Sequence, residues 1–390
     1  MNICILTPRF PLPECGGDLL RINNIARYLK AKGHRLILVS YTEESPGMEE
    51  AVKLYDKVYT IKHSKVASVF YSAMFLLRRR PIQCGYYYSQ RYNRLLSQVI
   101  EAEKPDLYIS HLLRMVPFLE SHQLQDKSIV EMTDALSKTY SLSSDAKGSW
   151  VRRMIYHAEK KLIAEYEKYV LEHYQKVVLV SQADIDFLQN SLCLTHAPMV
   201  LHTNGVECAV PLFPSYDPDK ICFIGHMQSL QNQDAAIRFV EEIFPRILQQ
   251  NPHAKFYIVG AHPPKNIKKL ANGKNVFVTG FIDNLNTFIA DACVAVAPVR
   301  VAAGIQNKVL IAMGCGIPVV LTSLIATSIP ELDSGCNCFI KDDASEFAES
   351  CLALMKDKKL RDGMARKGYD MVQAHYTWEK KLEGYEEIGL

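Results

Sequence analysis

Residues 294–321 read VAVAPVRVAAGIQNKVLIAMGCGIPVVL. Val294 to Ala297 and Val319 to Leu321 are short β-branched runs. Between them lies a segment of helical period after Gln306, with Val309, Leu310, Ala312 and Met313 set to be buried. Strand, helix, strand within one short stretch is the unit of a parallel sheet with crossover helices. Outward from it the same alternation recurs, at Ile221 to Ile224, a helix from Asp234 to Gln249, Phe256 to Val259 and Val276 to Thr279.

The first half shows the pattern independently. Its strand candidates are Ile3 to Leu6, Leu36 to Ser40, Leu107 to Ser110, Ile129 to Met132 and Val177 to Ser181. Asp18 caps a helix that places Leu19, Ile22, Ala26 and Leu29 on one face and ends at Gly33. Met154 to Tyr174 carries apolar residues at helical spacing amid charges, predicting a helix of roughly 30 Å. The stretch VECAVPLFPSYDPD, 206–219, has three prolines and no period and reads as a linker. The fold class is therefore α/β, with two Rossmann-like doubly wound parallel-sheet domains, the first over 1–205 and the second over 220–375. Ligands of such sheets sit at the carboxyl ends of the strands, which predicts a cleft between the domains.

Composition sets the class of function. At 390 residues, 48% hydrophobic and 22% charged, the chain has material for two folded domains and is not a disordered tail. A formal charge of +3 is too balanced for a general nucleic-acid binder. Eleven cysteines, odd in number and scattered, read as free thiols of a reducing cytoplasm, because the pair Cys336 and Cys338 has no second pair at zinc spacing. The opening MNICILTPRF lacks the basic and apolar regions of a signal peptide. The apolar run Val66 to Leu77 falls short of the roughly 20 residues that span a bilayer.

Four constellations could carry chemistry. Pro298-Val299-Arg300 ends a strand, and Gly304-Ile305-Gln306-Asn307-Lys308 opens a helix; a glycine entry, a helix N-terminus and two cations make a diphosphate site. The alternative is a surface loop with solvated Arg300 and Lys308. Gly16 and Gly17 precede the first helix and would admit a phosphate or sugar hydroxyl, or simply make the turn. Asp134 and His111 follow strands, where each could bind or deprotonate a sugar hydroxyl, or cap a turn. From Lys62 to Arg94, basic and aromatic residues interleave, which fits an anionic membrane face, an acidic or lipid-linked acceptor, or a partly buried helix with solvated arginines.

Several motifs resemble the retaining GT-B glycosyltransferases of family four: FIGHMQSLQNQDA, FYIVGAHPP, VFVTGFIDNL, CVAVAPVR, GIQNKVLIAMGCGIPVV and SIPEL. GIQNKV, with IVEMTDALSKTY and IYHAEKKLIAEYEKYV, is similar to the exopolysaccharide branch associated with exosortase clusters. The resemblance implies a nucleoside-diphosphate sugar held by the C-terminal domain, retention of configuration, no cofactor and no metal. Gly304 and Lys308 then fall at the donor-phosphate loop, Gly16 and Gly17 at the N-terminal glycine loop, and Asp134 on the acceptor side, while Gln306 joins the donor-binding candidates by its place in the same loop. Tyr376 to Glu379 resembles the start of a last helix, 376–390, that returns to the N-terminal domain.

Two departures stand out. The family's paired glutamates are replaced by Ala303 and Ile311, leaving Glu331 as the candidate for the ribose, and its usual Arg and Lys after the first strand of the second domain are absent, with His226 and Gln231 nearby instead. The leading expectation is a hexosyltransferase acting on a saccharide or lipid-linked acceptor in bacterial surface-polysaccharide synthesis, cytoplasmic and peripheral at the inner membrane face. The second is a catalytically silent GT-B protein that binds glycan or partners an active transferase. Donor sugar, base and acceptor are set by the cleft loops.

Overall fold

The computed structural model describes residues 1–14, 17–42, 47–143, 150–192, 198–208, 216–300, 306–385 and 387. The chain divides into two compact units, Met1–Asn204 with Leu382–Leu390, and Gly205–Lys381.

The first unit holds seven strands: β1 (Asn2–Thr7), β2 (Arg35–Thr42), β3 (Lys57–Lys62), β4 (Leu107–His111), β5 (Ser128–Thr133), β6 (Val177–Leu179) and β7 (Met199–Leu201). They form one sheet in the order β3-β2-β1-β4-β5-β6-β7, every pair parallel. Ile3, Cys4, Ile5 and Leu6 are all fully buried, as consecutive residues must be in a central strand covered on both faces. The reading from sequence found these interior strands and missed β3 and β7. Both are edges, and both are partly exposed, so neither shows the continuous apolar run that marks an interior strand.

The helix Gly17–Ala31 follows β1, and Gly33, at φ 81°, turns the chain into β2. The charged helix expected over 154–174 runs from Trp150 to His173, and its Ile163, Tyr166 and Val170 enter the core.

The second unit has six parallel strands: β8 (Asp217–Ile224), β9 (Lys255–Val259), β10 (Val276–Gly280), β11 (Ala292–Ala297), β12 (Val319–Leu321) and β13 (Phe339–Ile340). Their order is β10-β9-β8-β11-β12-β13. β8 starts inside the stretch read as linker: Asp217 pairs with Ala292, and Pro218 is tolerated at the strand's beginning. Residues 209–215 of that stretch lie outside the described residues.

The helix expected over 234–249 is interrupted. It forms as Leu230–Arg238, a π turn over Phe239–Ile243, and Phe244–Gln250. Pro245 has no N–H to donate into the ladder, and the widened turn ahead of it absorbs the loss. The quoted stretch folds as read, with the helix Asn307–Gly314 between β11 and β12 and Val309, Leu310, Ala312 and Met313 buried. In place of a continuous last helix, a single turn, Trp378–Lys381, closes the second unit. The chain from Leu382 belongs to the first unit, where Tyr385 is buried beside His202.

Both sheets reverse strand order at their centres, between β1 and β4 and between β8 and β11. That reversal opens a crevice at the carboxyl ends of the strands, where doubly wound sheets bind ligands. The fold is the GT-B kind, two Rossmann-like units in one chain.

Candidate functional site

In the second unit a cavity of about 580 Å³ opens at such a reversal. Its floor is the carboxyl ends of β8 and β9, with Gly225, His226, Gly260 and Ala261 exposing backbone to it. These glycines are required by space. A Cβ on Gly260 would lie 1.8 Å from the Gly225 carbonyl oxygen, and one on Gly225 would lie 2.8 Å from Asn232 Cγ. The two strand ends therefore close on each other, and a ligand meets bare backbone there. Phe281, Ile282, Leu285 and Ile311 supply apolar walls, while Gln306, Asn307 and Lys308 bring the helix N-terminus to one side.

Lys308 is the site's main charge. Its ammonium donates to Asn232 Oδ1 and lies 5.3 Å from the centroid of the Phe223 ring, and Asn232 Nδ2 donates to the His226 carbonyl at 3.0 Å. The lysine is thus aimed by a nearly buried asparagine and no carboxylate pairs with it among the described residues. Burial pushes its pKa down from 10.5 to about 8, since a low dielectric disfavours the charged form. A diphosphate entering the cavity would supply the missing counter-charge beside the helix N–H groups. Asn232 was not singled out in the sequence, where nothing distinguishes it from the other polar residues of QSLQNQDA.

This arrangement fixes a pH dependence. The ammonium attracts an anion while it is protonated, so affinity for a nucleoside diphosphate is expected to fall as pH rises through about 8 toward 10.5. The free protein should move oppositely. Its unfolded state holds the lysine proton more tightly across that window, so stability rises with pH there. Calorimetric titration of UDP across the window checks the first, and a flat affinity would show that Lys308 does not meet the phosphates.

The other residues assigned to the donor are placed differently. Arg300, expected at the diphosphate, is half-exposed and forms a bidentate pair with Asp234, Nη2 to Oδ1 at 2.6 Å and Nε to Oδ2 at 3.1 Å, with Glu242 at 3.4 Å. Its charge is already answered by two carboxylates, unlike that of Lys308. Glu331, the ribose candidate, accepts a hydrogen bond from the Tyr376 hydroxyl, and its backbone carbonyl accepts from Asn337 Nδ2 at 2.8 Å. Gly304 and Ala303 lie outside the described residues, whereas Ile311 lines the cavity directly.

The first unit has a cavity of about 360 Å³ at the ends of β4, β5 and β6, lined among others by Gly17, Asp18, Arg114, Thr133, Asp134 and Asn204. Gly16 lies outside the described residues. Burial and the nearby Asp184 raise the Asp134 carboxyl above its ordinary range, the direction a base toward a hydroxyl needs. Against burial, which works upward, the hydrogen bond and charge of Arg9 hold Asp18 below its ordinary range. His111 ends β4 fully buried, with neither ring nitrogen hydrogen-bonded among the described residues. Burial drives its pKa down to about 3 despite Asp18 nearby, so it stays neutral at ordinary pH. Two non-glycine residues at these strand ends, Leu112 at φ 72° and Thr133 at φ 69°, hold left-handed backbone, a strain that collects at functional sites.

Residues 218–357 match the family model described as glycosyl transferases group 1. The matched stretch lies within the second unit. Among solved structures the whole chain is similar to HepE of Anabaena in complex with UDP and glucose, at 13% identity and a TM-score of 0.63, covering 99% of this chain and 98% of that one. It is also similar to sucrose-phosphate synthase from Thermosynechococcus elongatus, at 14% identity and a TM-score of 0.65, with 99% and 98% covered. A TarM variant of S. aureus, in complex with Fondaparinux, alpha-GlcNAc-glycerol and UDP, matches at 11% identity and a TM-score of 0.63, with 100% and 99% covered. At such identities the likeness establishes the fold. No curated protein matches the chain in sequence.

Proposed function

We propose that the protein is a retaining, metal-independent hexosyltransferase that moves a sugar from a nucleoside diphosphate to a saccharide or lipid-linked acceptor, in bacterial surface-polysaccharide synthesis on the cytoplasmic side. The observation that carries the donor half is Lys308, a partly buried ammonium on the wall of the cavity in the second unit, with no carboxylate partner among the described residues. As the bond from the anomeric carbon to the diphosphate breaks, negative charge grows on the leaving oxygen. Lys308 and the N–H groups of the helix beginning at Asn307 would meet it, a preorganised electrostatic contribution that needs no cofactor. Retention and the polysaccharide role rest on the family resemblance of the motifs. UDP as nucleotide is supported by the complexes of HepE and TarM.

On the acceptor side, Asp134 and Asp18 offer carboxylates to sugar hydroxyls, while His111, fully buried at the end of β4, does not line the cavity and stays neutral behind it. A second reading, a silent glycan-binding protein, is favoured by one observation: Ile311 gives the cavity an alkyl wall and Arg300 is already paired. A panel of UDP-, GDP- and dTDP-sugars, each with and without acceptor and with and without EDTA, decides between them. Acceptor-dependent nucleotide release that survives EDTA is the expected result. No release with any donor, from protein that still binds glycan, would establish the silent reading.

A further inference from the structure

The helix Lys65–Leu77 is built inside out. Its inward face is already filled, because Ser68 and Phe75 are buried and it packs so closely on the neighbouring helix Ile82–Tyr87 that a Cβ on Gly85 would lie 2.6 Å from the Tyr71 carbonyl oxygen. The opposite face carries Val66, Val69, Phe70, Ala73, Leu76 and Leu77, a stripe at helical spacing that is apolar and exposed. Val66 is 83%, Val69 71%, Phe70 64% and Leu77 86% exposed. Scattered single apolar residues on a surface mean little, but a contiguous stripe marks an interaction site.

Charge says what covers it. From Lys57 to Ile100 the chain has eight lysines and arginines and no aspartate or glutamate. Lys65 stands exposed at one end of the stripe, and Arg78 and Arg79 at the other. The helix terminates so that these two stay outside. Arg79 takes left-handed backbone at φ 55°, its N–H donates to the Leu76 carbonyl at 3.0 Å, and that of Arg80 donates to the Phe75 carbonyl at 2.8 Å, the closed reversal that ends many helices. The reversal carries Arg80 inward to Glu120, over the rings of Tyr166 and Tyr169. Of the arginine triplet, one anchors the fold and two remain for a partner.

We propose that this helix lies flat on an anionic bilayer, its apolar stripe in the boundary between headgroups and acyl chains, with Lys65, Arg78 and Arg79 on lipid phosphates. An outward apolar stripe flanked by cations, on a 13-residue helix too short to span, is the geometry of an interfacial helix. The proposal rests on the helix alone and not on the transferase reading, so each can fail without the other.

The test is co-sedimentation of the full chain with phosphatidylcholine vesicles, with and without phosphatidylglycerol, over a salt series. Binding is expected only with the anionic lipid and is expected to weaken as salt rises. Arg78→Ser with Arg79→Ser should lower partition about 25-fold, roughly fivefold for each cation near the surface. Phe70→Ser with Leu77→Ser should abolish binding even at low salt while leaving the melting temperature unchanged, since both side chains are exposed. Equal binding to neutral vesicles would overturn the charge argument. Wild-type dimers that Phe70→Ser with Leu77→Ser converts to monomers, without vesicle binding, would show that a second copy covers the stripe instead. Folded protein that ignores every vesicle would overturn the proposal outright.

Discussion

Replacing Lys308 by alanine is expected to weaken binding of a nucleoside diphosphate by at least about 30-fold, because truncating one member of a desolvated, hydrogen-bonded charge pair costs roughly 2 to 5 kcal/mol. The effect should concentrate on this residue. Arg300, the other cation of the motif, is committed to Asp234 and Glu242, and Ile311 on the cavity wall offers no polar group. Stability should hardly change. The substitution removes an ammonium whose burial already works against its charge, while Asn232 loses one donor but keeps its bond to the His226 carbonyl. Calorimetry with UDP and a melting curve for the one variant supply both numbers. A change below about threefold, the scale of an ordinary surface substitution, would remove Lys308 from the donor site.

How far the sequence could lead here depended on what each signal reports. A central parallel strand is covered on both faces, so β1, β4, β5, β8, β9 and β11 announce themselves as continuous apolar runs. The edges β3, β7 and β13 are partly exposed and only two to six residues long, and their composition alone does not separate them from loops. The helix N-terminus at Lys308 was readable from glycine, strand end and cation in order. Which cation lacks a carboxylate partner was not, because pairing depends on side chains far away in sequence. Asp234, which claims Arg300, is 66 residues distant, and Asn232, which aims Lys308, is 76 residues distant. The exposed stripe on Lys65–Leu77 shows the same limit. Its residues were legible as an apolar run, but the helix they form and the direction in which the stripe points are tertiary facts.

Arg21 is the position where the sequence misleads most, and replacing it carries the largest stability effect expected in the first unit. It lies on the helix Gly17–Ala31 between Leu19 and Ile22, where a charged residue would ordinarily turn to solvent. Instead its side chain is fully buried, and so is that of Glu131 on β5. The two form a forked pair, Nε to Oε2 at 2.7 Å and Nη2 to Oε1 at 3.0 Å, while Nη1 donates to Asn204 Oδ1 at 2.9 Å. The guanidinium thus ties the first helix to the sheet and to the end of the unit's main chain segment. Arg21→Met keeps the volume but strands the Glu131 carboxylate without its counter-charge, beside Tyr385, whose phenol burial and that carboxylate already push up. Breaking a buried pair from one side costs about 3 to 5 kcal/mol, a large share of the roughly 5 to 15 kcal/mol that keeps a domain folded. At about 2 to 4 °C per kcal/mol for a unit of this size, the first unit's transition should fall by on the order of 10 °C. The double variant Arg21→Met with Glu131→Leu is expected to recover most of that loss, since apolar residues of similar volume replace a buried pair at little cost. Scanning calorimetry of the three proteins measures it. A single variant that melts within about 2 °C of the wild type, less than the shift 1 kcal/mol would give, would show that water reaches this pair and that the helix is held by packing alone.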